Sequence, residues 1–205
     1  MKPEDQPYAL RELSERQRRI AMLSQPHIAP LQKYLLHIRA EHPGKEIPNF
    51  DPFDGGVQAK ALFLLESPGP KAVVSGFISR NNPDPTARNM CDLWQEAGIV
   101  RADTVFWNIV PWYVGDGKNI RAVRRDDICQ SSPYVKDILS LLPNLKVIGL
   151  LGKQAQSAKS QISQFTNLPI VDMPHPSARV FNRWPYKKDE IREQLRQISD
   201  VINGD

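Results

Sequence analysis

Four short runs of apolar, β-branched and aromatic residues punctuate the chain, at positions 61–65, 104–110, 147–151 and 170–173. Each is too short for an ordinary helix and reads as a strand buried on both faces. Between and around them, apolar residues recur at helical spacing. The stripes are Leu31, Tyr34, Leu35 and Ile38; Met90, Leu93, Trp94 and Ala97; Tyr134, Ile138, Leu141 and Leu142; and Ile191, Leu195, Ile198 and Ile202. Apolar strands alternating with amphipathic helices predict an α/β fold: three layers, α/β/α, around a short central four-stranded, mainly parallel sheet.

In open sheets of this kind ligands sit beyond the carboxyl ends of the strands, where loops vary without disturbing the core. The four loops read Glu66-Ser67-Pro68-Gly69-Pro70, Pro111-Trp112-Tyr113, Gly152-Lys153-Gln154 and Pro174-His175-Pro176-Ser177. Residues 1–50 carry helical pattern but no strand. They are expected to form a helical extension that clamps the sheet edge or the helical layer of a domain spanning 51–205, the whole making one compact unit. The Asp51-Pro52-Phe53-Asp54-Gly55-Gly56 stretch has turn chemistry and leads into the first strand. There is no internal repeat, low-complexity tract or Gly/Ser-rich linker.

Composition narrows the classes further. A formal charge of +4 and a pI near 9.1 permit contact with a polyanion without demanding it. Cys91 and Cys129 lie far apart and outside any C-x-x-C pattern, which argues against a disulfide framework, a zinc site or an iron–sulfur cluster. No metal and no cofactor are expected. The early run RELSERQRRI is charged where a secretion signal would be apolar, and nowhere do ~18 apolar residues follow one another. The expectation is a cytoplasmic, monomeric protein, neither exported nor membrane-spanning.

Two superficial signals fail on spacing. Gly149-Leu150-Leu151-Gly152-Lys153 is not a phosphate-binding loop, because G-x-x-x-x-G-K-[ST] is not met and Gln154 follows the lysine. Nor is there a G-x-S-x-G elbow for acyl transfer.

Three segments, in order and spacing, carry a resemblance. Leu65-Glu66-Ser67-Pro68-Gly69 resembles the first motif of the uracil-DNA glycosylase superfamily, Asn108 in Trp107-Asn108-Ile109-Val110-Pro111 resembles its base-reading strand asparagine, and His175-Pro176-Ser177 resembles its His-Pro-Ser loop. The likeness covers roughly residues 58–203. It points to a branch with a Glu-x-Pro-Gly first motif that lacks the iron–sulfur cysteines. The implied activity is a monofunctional DNA glycosylase that flips a pyrimidine out of DNA and hydrolyses its N-glycosidic bond. That reaction needs a base held out of the stack, a fixed donor facing the charge that grows on its carbonyl, and water at the sugar carbon.

The resemblance assigns roles residue by residue. His175 stabilises the departing base as a hydrogen-bond donor whose tautomer its loop fixes, and Asn108 reads the base edge with its amide. The remaining histidines, His27, His37 and His42, are expected to be solvated. Where the best-known branch has a water-activating Asp, this chain has Ser67. Water is then held by Glu66, by Ser67 or by backbone, with Glu66 the side chain able to take a proton. Leu65 replaces the usual opening glycine. Phe77 matches the aromatic that stacks on the base, an ordinary core phenylalanine being the competing reading. Ser177 and Arg179 occupy the loop that enters the DNA helix, and Arg80, Lys153 and Arg183 are expected on the same phosphate-gripping rim. Gly69 stands where uracil-restricted members have a tyrosine against the C5 edge, so C5-modified pyrimidines are expected substrates beside uracil.

Other readings stay open. The activity can serve repair of deaminated cytosine or removal of hypermodified cytosines from foreign, phage DNA. A non-catalytic reader of damaged or single-stranded DNA would keep the pocket without the water activator, and a nucleoside hydrolase would act on free nucleosides without salt-sensitive DNA affinity.

Overall fold

The computed structural model describes residues 5–115 and 121–204; positions 1–4, 116–120 and 205 lie outside the described residues. The elements run α1 (Leu13–Ala21), α2 (Ala29–Glu41), β1 (Asn49–Phe50), β2 (Ala61–Leu65), α3 (Pro70–Ser75), β3 (Phe77–Ile78), α4 (Pro85–Glu96), β4 (Thr104–Asn108), α5 (Arg125–Ser140), β5 (Val147–Leu151), α6 (Lys153–Ser157), α7 (Lys159–Ile162), β6 (Ile170–Met173), α8 (Ala178–Arg183) and α9 (Tyr186–Asn203).

The four apolar runs form one sheet in the order β4-β2-β5-β6, parallel throughout. Every residue of β4 and β5 is buried, as a parallel strand covered on both faces requires. Alternation sorts the side chains between two helical layers. On one face Phe63 and Phe106 stack, and Trp94 of α4 meets Phe63 edge-on. Helix α9 packs on β5, β6 and α4 with Ile191, Leu195, Ile198 and Ile202 all buried. On the other face Trp107 stacks on Phe50 at 3.7 Å between ring centroids, and α2 packs against α5, the Tyr34 hydroxyl donating to the Tyr134 carbonyl. This is the expected α/β/α sandwich.

Two details depart from the sequence pattern. A second, two-stranded parallel sheet joins β1 to β3, with Asn49 opposite Phe77 and Phe50 opposite Ile78. Two-residue strands carry no periodicity, so residues before Phe50 read as strand-free. Strand β4 ends at Asn108 rather than at position 110. Its backbone nevertheless stays zipped to the next loop, Ile109 N–H donating to Leu65 O and Val110 N–H to Glu66 O.

The N-terminal segment reaches the domain through buried charge. Arg101 donates to Asp5, Asp51, Asp54 and Asn81, Arg19 pairs with Asp51, and the Ser79 hydroxyl donates to Asp51. Burial alone would raise the Asp51 carboxyl, but Arg101 and Arg19 hold it below the ordinary carboxylate range. For Asp54 burial wins, aided by Asp51, and its pKa rises to about 7 despite Arg101. The Leu10 N–H also donates to the Asn81 carbonyl, so the segment grips the loop that follows β3.

Candidate active site

Strand order reverses around β2, which has β4 on one side and β5 on the other, and the loops beyond these strand ends enclose a cavity of about 540 Å³. Glu66, Ser67, Gly69, Asn108 and His175 all line it. Residues far apart in sequence therefore converge on one side of the sheet, as the switch-point rule requires.

Asn108 owes its position to register. It pairs with Leu65, which puts it beside Glu66 at the last rung of the β2–β4 ladder. Its residue is 3% exposed, and its Nδ2 is buried with no hydrogen-bond partner among the described residues. An orphaned buried donor is costly, by about 1–3 kcal/mol, and here it faces a cavity large enough for a base.

Glu66 stands opposite the segment leading into α5. One carboxylate oxygen, Oε1, accepts from the Val123 N–H at 2.9 Å. That segment is itself anchored: Arg121 makes a two-pronged contact with Asp127 at 2.6 and 2.7 Å, and the Arg124 N–H donates to the same carboxylate. Ser67 lines the cavity beside Glu66.

His175 follows β6. The Gly152 N–H donates to Met173 O, and Asn89 Nδ2 donates to Pro176 O, so the loop is fixed at both ends of its histidine. Burial lowers the His175 pKa from its ordinary value, with the Asp84 carboxylate opposing, which favours the neutral ring. Neither ring nitrogen bonds a described residue, so the loop positions the ring without fixing its tautomer.

Gly69 has an ordinary extended backbone, φ −82°, and a Cβ built there would meet no atom within 4 Å. The glycine answers no steric demand of the fold; it leaves the cavity open.

Two expected site residues are displaced. Phe77 is fully buried and does not line the cavity, whereas its neighbour Ile78 does. Arg80 is 1% exposed and pairs with Asp5, so it belongs to the buried charge cluster and not to a rim. Arg179, Lys153 and Arg183 are exposed, and Ser177 caps α8 by accepting from the Val180 N–H. Two histidines expected to be solvated are engaged: His27 Nε2 lies 2.9 Å from Pro52 O, and His42 bonds the Tyr134 hydroxyl and packs on Trp112.

The cavity also recruits Asn82, Asp84, Gln154 and Arg121, which the pattern of motifs did not single out. Asn82 is pinned by Ser75, whose hydroxyl donates to its Oδ1, and by its own bond to Phe77 O. Asp84 could have been found, because an Asp-Pro pair is a helix-start signal; Asp84 caps α4 with Pro85 in its first turn. Arg121 carries no such signal.

The chain shares 11% identity with a solution structure of a candidate uracil DNA glycosylase from Methanosarcina acetivorans, superposing with a TM-score of 0.45 over 70% of this chain and 94% of that one. No curated protein matches the sequence. The profile of the uracil DNA glycosylase superfamily matches residues 52–198, from the turn before β2 to within α9, and the chain belongs to that superfamily.

Proposed function

We propose that the protein is a monofunctional DNA glycosylase that everts a pyrimidine and hydrolyses its N-glycosidic bond without a metal. One observation carries the reading: the buried Nδ2 of Asn108, without a partner among the described residues, faces a cavity shared with His175 and Glu66.

The three groups divide the chemistry. Asn108 Nδ2 donates to a ring carbonyl of the everted base and its Oδ1 accepts from a base N–H, a paired contact that rejects bases lacking the complementary edge. His175, neutral and desolvated, donates to the pyrimidine O2, where negative charge accumulates as the base departs. Glu66, with one oxygen held by the Val123 N–H, orients water with the other. The C1′–N1 bond breaks with its electron pair leaving on the base, the water oxygen bonds C1′, and the water proton passes to Glu66, which gives it up to solvent while the departing base anion takes a proton from solvent. The products are a free base and an abasic site. Open space at Gly69 admits a C5 substituent, so the substrate class is uracil together with C5-modified pyrimidines.

The test is incision of a panel of oligonucleotides carrying uracil or a C5-modified pyrimidine, followed by alkaline cleavage of abasic sites. Strand breaks that vanish in Asn108→Ala and His175→Ala are expected. Binding without breaks on every member would instead mark a non-catalytic reader of damaged DNA.

A further inference from the structure

The corner between α8 and α9 uses its apolar surface unlike the rest of the molecule. Trp94, Trp107 and Trp112 are 0–1% exposed, whereas Trp184 is 42% and Tyr186 is 60% exposed. Two large aromatics on solvent, separated by one proline, are costly unless something covers them.

Charge says what covers them. The Arg183 guanidinium sits over the Trp184 ring at 4.8 Å and Lys187 over the Tyr186 ring at 5.4 Å. The acidic side chains nearby are already taken: Glu190 pairs with Lys187 and Asp189 with Arg192. Arg179, Arg183 and Lys188 have no carboxylate partner among the described residues. The patch is thus a pair of flat rings each carrying a cation, of which Arg183 on Trp184 is uncompensated while Lys187 is shared with Glu190, suited to a polyanion that also presents π-faces.

The patch is held stiffly and close to the cavity. Pro185 sits at the start of α9 with φ −55°, the Trp184 N–H donates to Val180 O, and the Lys187 N–H donates to Trp184 O. Gln194 of α9 donates to Asp172 O in β6, the strand that delivers His175. Six-residue α8 spans about 9 Å, so Trp184 lies one short helix away from the His175-Pro176-Ser177 loop.

We propose that Trp184 and Tyr186, with Arg183, form a stacking platform for unpaired DNA bases flanking the everted nucleotide, and that the protein acts on single-stranded DNA. Base pairs in a duplex cover one another's faces, and only an unpaired strand offers them to exposed rings. Stacking is indifferent to base identity, so the platform would hold neighbours without dictating sequence. This inference rests on the DNA-directed reading of the site.

The test uses the full chain and a single-stranded oligonucleotide of ordinary bases, with the matching duplex as comparison, read by anisotropy and by tryptophan fluorescence. Because Trp184 is the one tryptophan on solvent, saturable quenching on binding the single strand is expected, lost in Trp184→Phe. Trp184→Ala and Tyr186→Ala should each weaken single-strand binding by about fivefold or more, while Trp184→Phe stays within about twofold of the parent and duplex affinity is unchanged. An unaltered thermal midpoint shows that the variants fold. Alanine variants that bind the single strand as tightly as the parent, or that lose duplex affinity equally, overturn the platform. Excision assayed in parallel separates the two ideas: lost excision with intact single-strand binding removes the glycosylase reading alone, and intact excision with indifferent alanine variants removes the platform alone.

Discussion

Gly152 lies directly against His175: a Cβ on Gly152 would stand 3.0 Å from the His175 Cβ and 3.1 Å from its Cδ2. Its backbone, φ 90° and ψ 162°, falls in a region essentially reserved for glycine. The residue at the end of β5 therefore does two things at once, turning the chain sharply into α6 and leaving room for the imidazole. Gly152→Ala should displace the ring and strain the turn. An excision rate lowered about 100-fold is expected, with a stability loss of about 1–3 kcal/mol. Single-turnover kinetics and thermal unfolding check both; an Ala variant with parental rate would show that the ring's placement is immaterial.

Asn108 should separate stability from activity. Its Nδ2 is buried without a partner among the described residues, a desolvation cost that substrate relieves. Asn108→Ala is expected to leave the unfolding free energy unchanged or slightly higher. Excision should fall by about 100- to 1000-fold, the range for losing one positioned donor. Denaturant unfolding beside the incision assay decides it, and a strongly destabilised variant would mean the amide has a structural partner.

What was legible in the sequence follows from periodicity and adjacency. Apolar runs of four to seven residues between helical stripes carry the sheet and its layers, and strand ends then carry Glu66, Asn108 and His175 to one rim. The same reasoning misplaced Phe77 and Arg80, because matching a motif position does not say which way a side chain points. In β3, Ile78 lines the cavity and Phe77 is buried away from it. Arg80 is captured by Asp5, 75 residues earlier, a long-range pairing with no local trace. Asn82 and Arg121 are held beside the cavity by bonds to residues five to seven positions away, Ser75 and Phe77 for the one and Asp127 for the other, which carry no periodic signature, whereas Asp84 announced itself as a helix start.

The buried charge cluster predicts a large stability effect remote from the cavity. Arg101 is the shared cation of Asp5, Asp51 and Asp54. Arg101→Leu would strand those carboxylates in the interior, a loss of about 3–5 kcal/mol. Chemical denaturation should show a lower midpoint with an unchanged slope. A loss below about 1 kcal/mol would place the cluster in solvent-like surroundings.

His175 sets a pH dependence whose sign is fixed by burial. Its pKa in the folded protein is lowered from the ordinary 6.5. The unfolded chain therefore takes up a proton near that pH while the folded protein does not, and the stability it contributes is lost as pH falls through this range. Excision by a neutral donor should hold level from mildly alkaline pH down past 6.5 and decline only below. The His175 Cε1–H resonance followed against pH should give a midpoint below 6.5; one above it would reverse the assignment.

Gly69 ties the cavity's shape to the choice of base. Its φ of −82° suits any residue, and a Cβ there would meet no atom of the described residues within 4 Å, so the backbone accepts a side chain without strain. Gly69→Tyr fills the region that a C5 substituent would occupy, while Asn108 and His175 remain where the strands put them. Uracil excision should persist within about tenfold, since the donors to the base and the water site are untouched. Excision of bulky C5-modified pyrimidines should fall by far more, because a ring packed into the same volume turns a neutral space into a clash. The ratio of the two rates in parent and variant is the decisive quantity. If Gly69→Tyr lowers both substrates in equal proportion, the space beside Gly69 has no part in selecting the base.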